Sequence, residues 1–336
     1  MKTAHPSDPM VLFHRPGASH LERLIPAEGG PVGFRMHPWE GSQGQGDLML
    51  RGTLVRDAAV FGDERPFNKP AARALSGTSR EAHIQAVRHA IAAIAEGTLE
   101  KVVVSSILTV EAADLDAEAV VRRLSQAHPD SFSWLVRHPE IGTWFGSSPE
   151  PLVQGQWPQL STACLAGTRM AHTGSQSDPW TDKERHEQQL VTDSVLNALQ
   201  QSGCRNIQAG ERMTVRYGPI EHLRTMVTFD ADGALGDVMA ALHPTPAVGG
   251  TPRAAALAFI DRHEDHDRAY YTGWVGLEDG DDIAYFVNLR CGCLEGHRLS
   301  AYAGGGITAG SDPEAEWQET RNKLRSALDP IVHWPE

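Results

Sequence analysis

YTGWVGLEDGDDIAYFVNLRCGCLEGHRLSAYAGGGI, residues 271–307, decides the fold class. It splits into strand-like runs, YTGWVGLED, IAYFVNLRCGCLE and HRLSAYAGGGI, joined by the turn-rich stretches EDGDD and LEGHR. Short turns between aromatic and β-branched runs predict consecutive antiparallel strands, a meander. A helix then follows to about residue 328. Ser311 with Glu314 makes a capping-box pattern, and Asp312-Pro313 is also a good helix start.

Working outward, further strand-like runs stand at 101–110 (KVVVSSILTV), 131–137 (SFSWLVR), 143–146 (TWFG) and 159–167 (QLSTACLAG). Residues 80–96 predict an amphipathic helix with Ile84, Val87, Ile91 and Ile94 on one stripe, ended by Gly97. A second helix is expected over 182–201, opened by a Thr181–Glu184 capping box, and a third near 253–262. Residues 1–70 hold scattered Gly and Pro and no sustained period. Strands in runs, without strict βαβ alternation, predict an α+β fold on antiparallel sheet. The 336 residues suffice for one large core or two modest domains, and no repeat or low-complexity linker divides them.

The formal net charge is −13. With no basic patch to contact phosphates, nucleic acid and anionic membranes are not expected partners. No apolar run nears the roughly 20 residues that span a bilayer, and residues 1–10 lack a leader pattern, so a cytoplasmic protein is expected. Cys164, Cys204, Cys291 and Cys293 do not follow zinc spacing and read as free thiols.

Several residues invite a chemical reading beside a plain one. Lys101 opens KVVVSS; it is either a solvated strand end or an amine carried into a closed site, where it could accept a proton. Glu150 in GSSPE is either a loop carboxylate or a buried acid kept protonated. Glu184 and Glu187 share a helix face; the cap explains Glu184 but not Glu187. Glu319 and Lys323, four apart, read alone as a surface helix pair, with Glu316 one turn before. AGGGI at 303–307 lacks dinucleotide spacing; its glycines suit close backbone approach to an anion. In HPTPAVGGTPR, residues 243–253, His243 reads as a base or as a structural histidine.

Six segments, taken in order, resemble the chorismate-utilising family, which includes isochorismate, salicylate, anthranilate and aminodeoxychorismate synthases. They are KVVVSS (101–106), GTWFGSSPEPLV (142–153), CLAGTRM (164–170), DKERHEQQLV (182–191), LHPTPAVGGTPR (242–253), and the C-terminal series YYTGWVG, VNLRCG, YAGGGI and SDPEAEWQETRNKL. The resemblance covers about residues 80–328. It implies a single large domain, 1–336, of stacked, mainly antiparallel sheets with helices outside and a deep central site. It implies Lys101 as the base that activates water and Glu150 as the acid for the leaving hydroxyl. Glu187 and Glu319 would hold Mg²⁺, with Glu184 and Glu316 beside them. Arg290, Gly304 and Lys323 would hold the enolpyruvyl carboxylate, and Gly167 would lie near the ring carboxylate. Thr168, His243, Ala247, Tyr271 and Gly306 are further expected substrate contacts. Oxygen ligands suit Mg²⁺, and local cations can hold a dianion on an acidic protein.

Within the family, the Lys at 101 implies water rather than ammonia as nucleophile. Ala166 disfavours aminodeoxychorismate synthases, which place a Lys there. Ala247 resembles isochorismate synthases more than salicylate synthases. The resemblance therefore implies an isomerase that makes isochorismate from chorismate, with salicylate synthesis and a non-catalytic binding homologue as alternatives. Siderophore, menaquinone and salicylate pathways all use such a product, and a monomer is expected. Three departures stand out: Ser106 where relatives often have Arg, Gln188 where they often have His, and an N-terminal region shorter than in many relatives.

Overall fold

The computed structural model describes residues 9–42, 45–59, 69–113, 115–171, 180–217 and 220–333. The leader reading of residues 1–8 lies outside them. The stretch with no readable period forms four strands: β1 (Met10–His14), β2 (His20–Pro26), β3 (Val32–His37) and β4 (Leu48–Ala59). β5 (Arg73–Gly77) leads into helix α1 (Arg80–Ala95). The Ser79 hydroxyl caps α1 by accepting from the Ala82 N–H at 3.1 Å, worth about 1 kcal/mol. Gly97, at φ 76°, turns the chain out of the helix.

β6 (Lys101–Glu111) is followed by a helix the periodicity reading did not include, α2 (Ala117–Ala127), capped by Asp116. Next come β7 (Phe132–His138), β8 (Gly142–Ser148), β9 (Pro151–Gln156) and β10 (Gln159–Met170). Helix α3 (Asp182–Gln201) opens on the expected Thr181–Glu184 box. β11 (Arg205–Ala209), β12 (Met213–Tyr217), β13 (Ile220–Asp230), α4 (Leu235–Leu242), β14 (Gly250–Thr251) and α5 (Arg253–His263) follow. The quoted stretch supplies β15 (Trp274–Asp279), β16 (Asp282–Val287), β17 (Cys291–Glu295) and β18 (Arg298–Ile307), and α6 (Pro313–Leu328) closes the described fold.

Two expectations need correcting. The cap of α6 is Asp312, whose carboxylate accepts from the Ala315 N–H at 2.9 Å, whereas the Ser311 hydroxyl serves the Thr308 N–H at 3.1 Å. Pro313 at the first helical position makes its predecessor the cap. The meander is also interrupted. β15–β16 and β17–β18 are antiparallel hairpins, but β16 takes β9 as its other neighbour and β17 takes β8. Between the hairpins, Asn288 bonds its N–H to the Gly273 carbonyl and its side chain to the Tyr270 carbonyl. Arg290 then adopts φ 48°, a turn conformation that redirects the chain.

Among the described residues every strand pair is antiparallel, and most join in one ribbon: β5–β6–β18–β17–β8–β7–β1–β2–β4–β3–β15–β16–β9–β10–β13, with β14 also beside β6 and β11 and β12 also beside β13. The ribbon doubles over, so Phe132 of β7 stacks on Phe286 of β16 at 4.7 Å although the strands lie on different arms. Val11, Phe13, Phe34, Trp134 and Val275 fill the space between arms. Phe13 and Phe34 are wholly buried, each worth about 1.5–3 kcal/mol. α1, α3, α4 and α5 cover one outer face, and α2 and α6 the other. The result is the expected α+β stack of antiparallel layers with helices outside. Among the described residues, no helix is long and apolar enough to cross a membrane.

Candidate active site

Lys101 begins β6, and strand alternation sends Lys101 and Val103 to the same side, where both line one cavity. The Lys101 side chain is only 1% exposed, so it is not a solvated strand end. Its Nζ meets Glu187 Oε1 at 2.9 Å, the carboxyl group coming from the first turns of α3. Gly306 of β18 makes this approach possible. A Cβ there would stand 2.5 Å from Glu187 Oε1 and 2.9 Å from Lys101 Cε.

Glu150 sits in the turn between β8 and β9, flanked by Pro149 and Pro151. Its backbone is fixed on both sides: its carbonyl accepts from the Val287 N–H at 3.0 Å and its N–H donates to the Ser148 hydroxyl at 3.3 Å. The carboxyl is 3% exposed. Burial raises its pKa to about 8, against the opposing pull of Lys101, so the protonated form prevails at neutral pH. It lines the same cavity as Lys101.

Another wall carries groups suited to anions. β10 bulges against β13 between Ala166 and Thr168, and Gly167 takes φ 71° there. The bulge brings the Thr168 hydroxyl to 3.1 Å from His222 Nδ1 of β13. Burial, with Lys323 and Arg290 nearby, lowers the His222 pKa to about 3, so the ring is neutral. Arg290 reaches the cavity from the break between hairpins. Lys323 of α6 donates to the Gly304 carbonyl at 3.0 Å and pairs with Glu319 at 2.8 Å. A Cβ on Gly304 would press on the Tyr271 hydroxyl at 3.1 Å, and Tyr271 stacks on Tyr302 at 5.5 Å.

Lys101, Glu150, Gly167, Thr168, Glu187, Ala247, Tyr271, Arg290, Gly304, Gly306 and Lys323 thus converge on one cavity. His243 does not line it. Its Nε2 bonds the Thr272 carbonyl at 2.8 Å, and burial lowers its pKa to about 3, which makes it a neutral support behind the wall. Glu184 is spent on the Thr181 cap. Glu316, buried, meets Lys183 at 3.4 Å, and Glu319 pairs with Lys323 without itself lining the cavity. Ser106 bonds buried His83 at 2.9 Å. Gln188 is fully buried and donates to Thr192 and Thr225 at 2.9 and 3.0 Å, anchoring α3 to β13 beside Glu187. His222, Tyr302, Leu289 and Thr272 also line the cavity and were not singled out in the sequence. Tyr302 lies within the quoted YAGGGI, but His222 is a lone histidine in a strand and carries no signal of its own.

The carboxylates suit a hard divalent cation. Burial works against the Lys323 ammonium, yet Glu319 above all, with Glu316 and Glu187, raises its pKa. The donors are all oxygen, as Mg²⁺ requires. Among the described residues, no three His, Cys, Asp or Glu side chains gather at metal-binding spacing. Glu187 and Glu319 supply oxygen donors of the kind such an ion takes; Glu187 lines the cavity and Glu319 is not among its lining residues.

The family profile described as chorismate binding enzyme matches residues 56–332. The chain belongs to the chorismate-binding enzyme family. It is 34% identical over 265 residues to the isochorismate synthase DhbC of Bacillus subtilis, covering 72% of this chain and 65% of that protein. Similarity to the isochorismate synthase MenF of Escherichia coli is 32% over 272 residues, covering 75% and 62%. For the salicylate biosynthesis isochorismate synthase of Pseudomonas aeruginosa the figures are 34% over 260 residues, 73% and 54%. The matched part therefore spans less than two thirds of each of these relatives. Two solved structures share the fold. One, of a putative 2,3-dihydroxybenzoate-specific isochorismate synthase from Bacillus anthracis, has a TM-score of 0.81 at 23% identity, covering 97% of both chains. The other, E. coli MenF, has a TM-score of 0.82 at 22% identity, covering 98% of this chain and 90% of that one. In this chorismate-binding enzyme, the family's six motifs meet at the cavity just described.

Proposed function

We propose that this chorismate-binding enzyme is an isomerase that converts chorismate to isochorismate. The observation that carries the reading is the pairing of a buried amine, Lys101, with a buried carboxyl kept protonated, Glu150, on the walls of one cavity. Arg290 and Lys323 clasp the enolpyruvyl carboxylate. Gly167 and Thr168 receive the ring carboxylate. Released from Glu187 and acting as the neutral amine, Lys101 takes a proton from water, and the water oxygen bonds to ring C2. The ring double bonds shift, the C4–oxygen bond breaks, and Glu150 protonates the departing hydroxyl. The proton left on Lys101 returns to Glu150 through solvent, so no net proton is consumed. Glu187 and Glu319 would hold Mg²⁺, which supplies charge neutralisation and orientation beside the ring carboxylate.

Four buried, unpaired cysteines support a reducing, cytoplasmic setting. We take the working unit to be a monomer. The test is incubation with chorismate and Mg²⁺. A new species of unchanged mass is expected, with no free pyruvate. A fluorescent product with pyruvate would assign salicylate synthesis instead, and no turnover at any Mg²⁺ concentration would leave a binding protein.

A further inference from the structure

We propose that the buried Glu264–Arg268 pair is a positioning device that fixes the Lys101 strand against the opposite cavity wall; the catalytic part of this inference rests on the function proposed above. Neither side chain lines the cavity, and no step of the reaction uses them. Both lie beyond the end of α5, in the connection to β15. Their side chains are 5% and 1% exposed.

All five N–H donors of the Arg268 guanidinium are used. Nε meets Glu264 Oε2 at 2.8 Å and Nη2 meets Oε1 at 2.6 Å. Nη2 also donates to the Val103 carbonyl at 2.9 Å. Nη1 donates to the Val248 carbonyl at 2.9 Å and to the Thr272 hydroxyl at 3.3 Å. Glu264 in turn accepts from the Ser105 N–H at 2.7 Å. The Trp39 ring covers the guanidinium at 4.5 Å.

The recipients are the decisive feature. Val103, Val248 and Thr272 each line the cavity, from three segments far apart in sequence. Val103 and Ser105 lie on β6, on the strand that begins with Lys101. One planar, rigid group therefore sets the spacing between the amine's strand, the 247–248 loop and the turn carrying Tyr271. Apolar residues could fill this volume at no loss of stability, but they could not hold two carbonyls and a hydroxyl at fixed directions. The Arg268 guanidinium also holds Glu264 ionised, below the usual carboxylate range despite burial. The carboxylate-binding groups, Arg290 and Lys323, come from other elements, so loosening this pair should misalign the attack while leaving binding.

The test compares Arg268→Lys and Glu264→Gln with the parent chain, using turnover of chorismate and amide hydrogen exchange over residues 101–106 and 245–250. The expected result is a fall in kcat of about 100-fold with KM within about threefold. Exchange in both segments should rise about tenfold while β1 and β7 stay unchanged. Full kcat in either variant, or unchanged exchange in both segments, overturns the proposal. Equal losses in kcat and KM, or failure of both variants to fold, would make the pair merely structural and equally overturn it. If the parent chain does not turn over chorismate, the functional reading fails, and the exchange data alone decide whether the pair positions these segments.

Discussion

Lys101 and Glu187 meet at 2.9 Å inside the cavity, one from the first residue of β6 and the other from the start of α3. The contact ties the amine proposed as base to a carboxylate proposed as metal ligand. Removing either partner leaves the other poorly solvated, which costs more than the pair itself contributes.

Lys101→Ala should lower turnover by about 10³-fold, within the range for loss of an acid–base group. Chorismate should still bind, because Arg290 and Lys323 are untouched. Calorimetry beside a product assay checks both halves. Near-normal turnover would remove Lys101 as the base.

Glu150→Gln should abolish the acid function and invert a pH effect. The folded-state pKa of Glu150, about 8, exceeds its ordinary value of 4.5. Its contribution to stability is therefore full at low pH and is lost as pH rises through about 8. The Gln variant lacks this loss, so its melting temperature at pH 9 should exceed the parent's. In the parent, activity should decline above about pH 8 as the acid ionises. A parent whose activity is flat to pH 10 would count against Glu150.

Gly306→Ala should cost about 100-fold in turnover, since its Cβ would collide with both Glu187 and Lys101. Gly46→Ala is the control, because nothing lies within 4 Å of its added Cβ. Equal activity in the two variants would mean that the Lys101–Glu187 approach is dispensable.

Glu319→Ala should lose Mg²⁺ dependence together with activity, read as metal affinity by calorimetry in the presence of chorismate. Unchanged affinity would exclude Glu319 as a ligand.

His83 and His243, both buried, and His222, half-buried at the cavity wall, are neutral, with pKa values lowered to about 4, 3 and 3 for His83, His222 and His243. A lowered histidine pKa gives stability that is present above about 6.5 and is lost as pH falls toward the folded value. Denaturant midpoints should therefore decline between pH 6.5 and 3. His83→Gln should flatten part of that slope, and an unaltered slope would show that His83 is not kept neutral by burial.

The elements most readable in the sequence are those with local signals. α1, α3 and α6 carry cap signals, and these three and α5 lie within a residue or two of their expected bounds. The first four strands do not read locally. β1 pairs with β7 more than a hundred residues away and is buried on both faces, so alternation disappears. α2 had both a cap, Asp116, and an apolar stripe of Val120, Val121 and Leu124, yet it lies between strands where no helix was expected. The site was legible because its residues sit in ordered motifs. His222, Glu264 and Arg268 were not, since their roles depend on which segments the fold brings beside them. The interruption at Asn288–Arg290 was hidden for the same reason: its bonds go to Gly273 and Tyr270.

Turnover of chorismate with Mg²⁺ in water enriched in heavy oxygen tests the central claim most directly. Attack by water at C2 places one heavy oxygen in each product molecule, and Lys101→Ala should form labelled product about 10³-fold more slowly. A product that keeps only the original hydroxyl oxygen would contradict the pairing of Lys101 and Glu150 as base and acid across the ring.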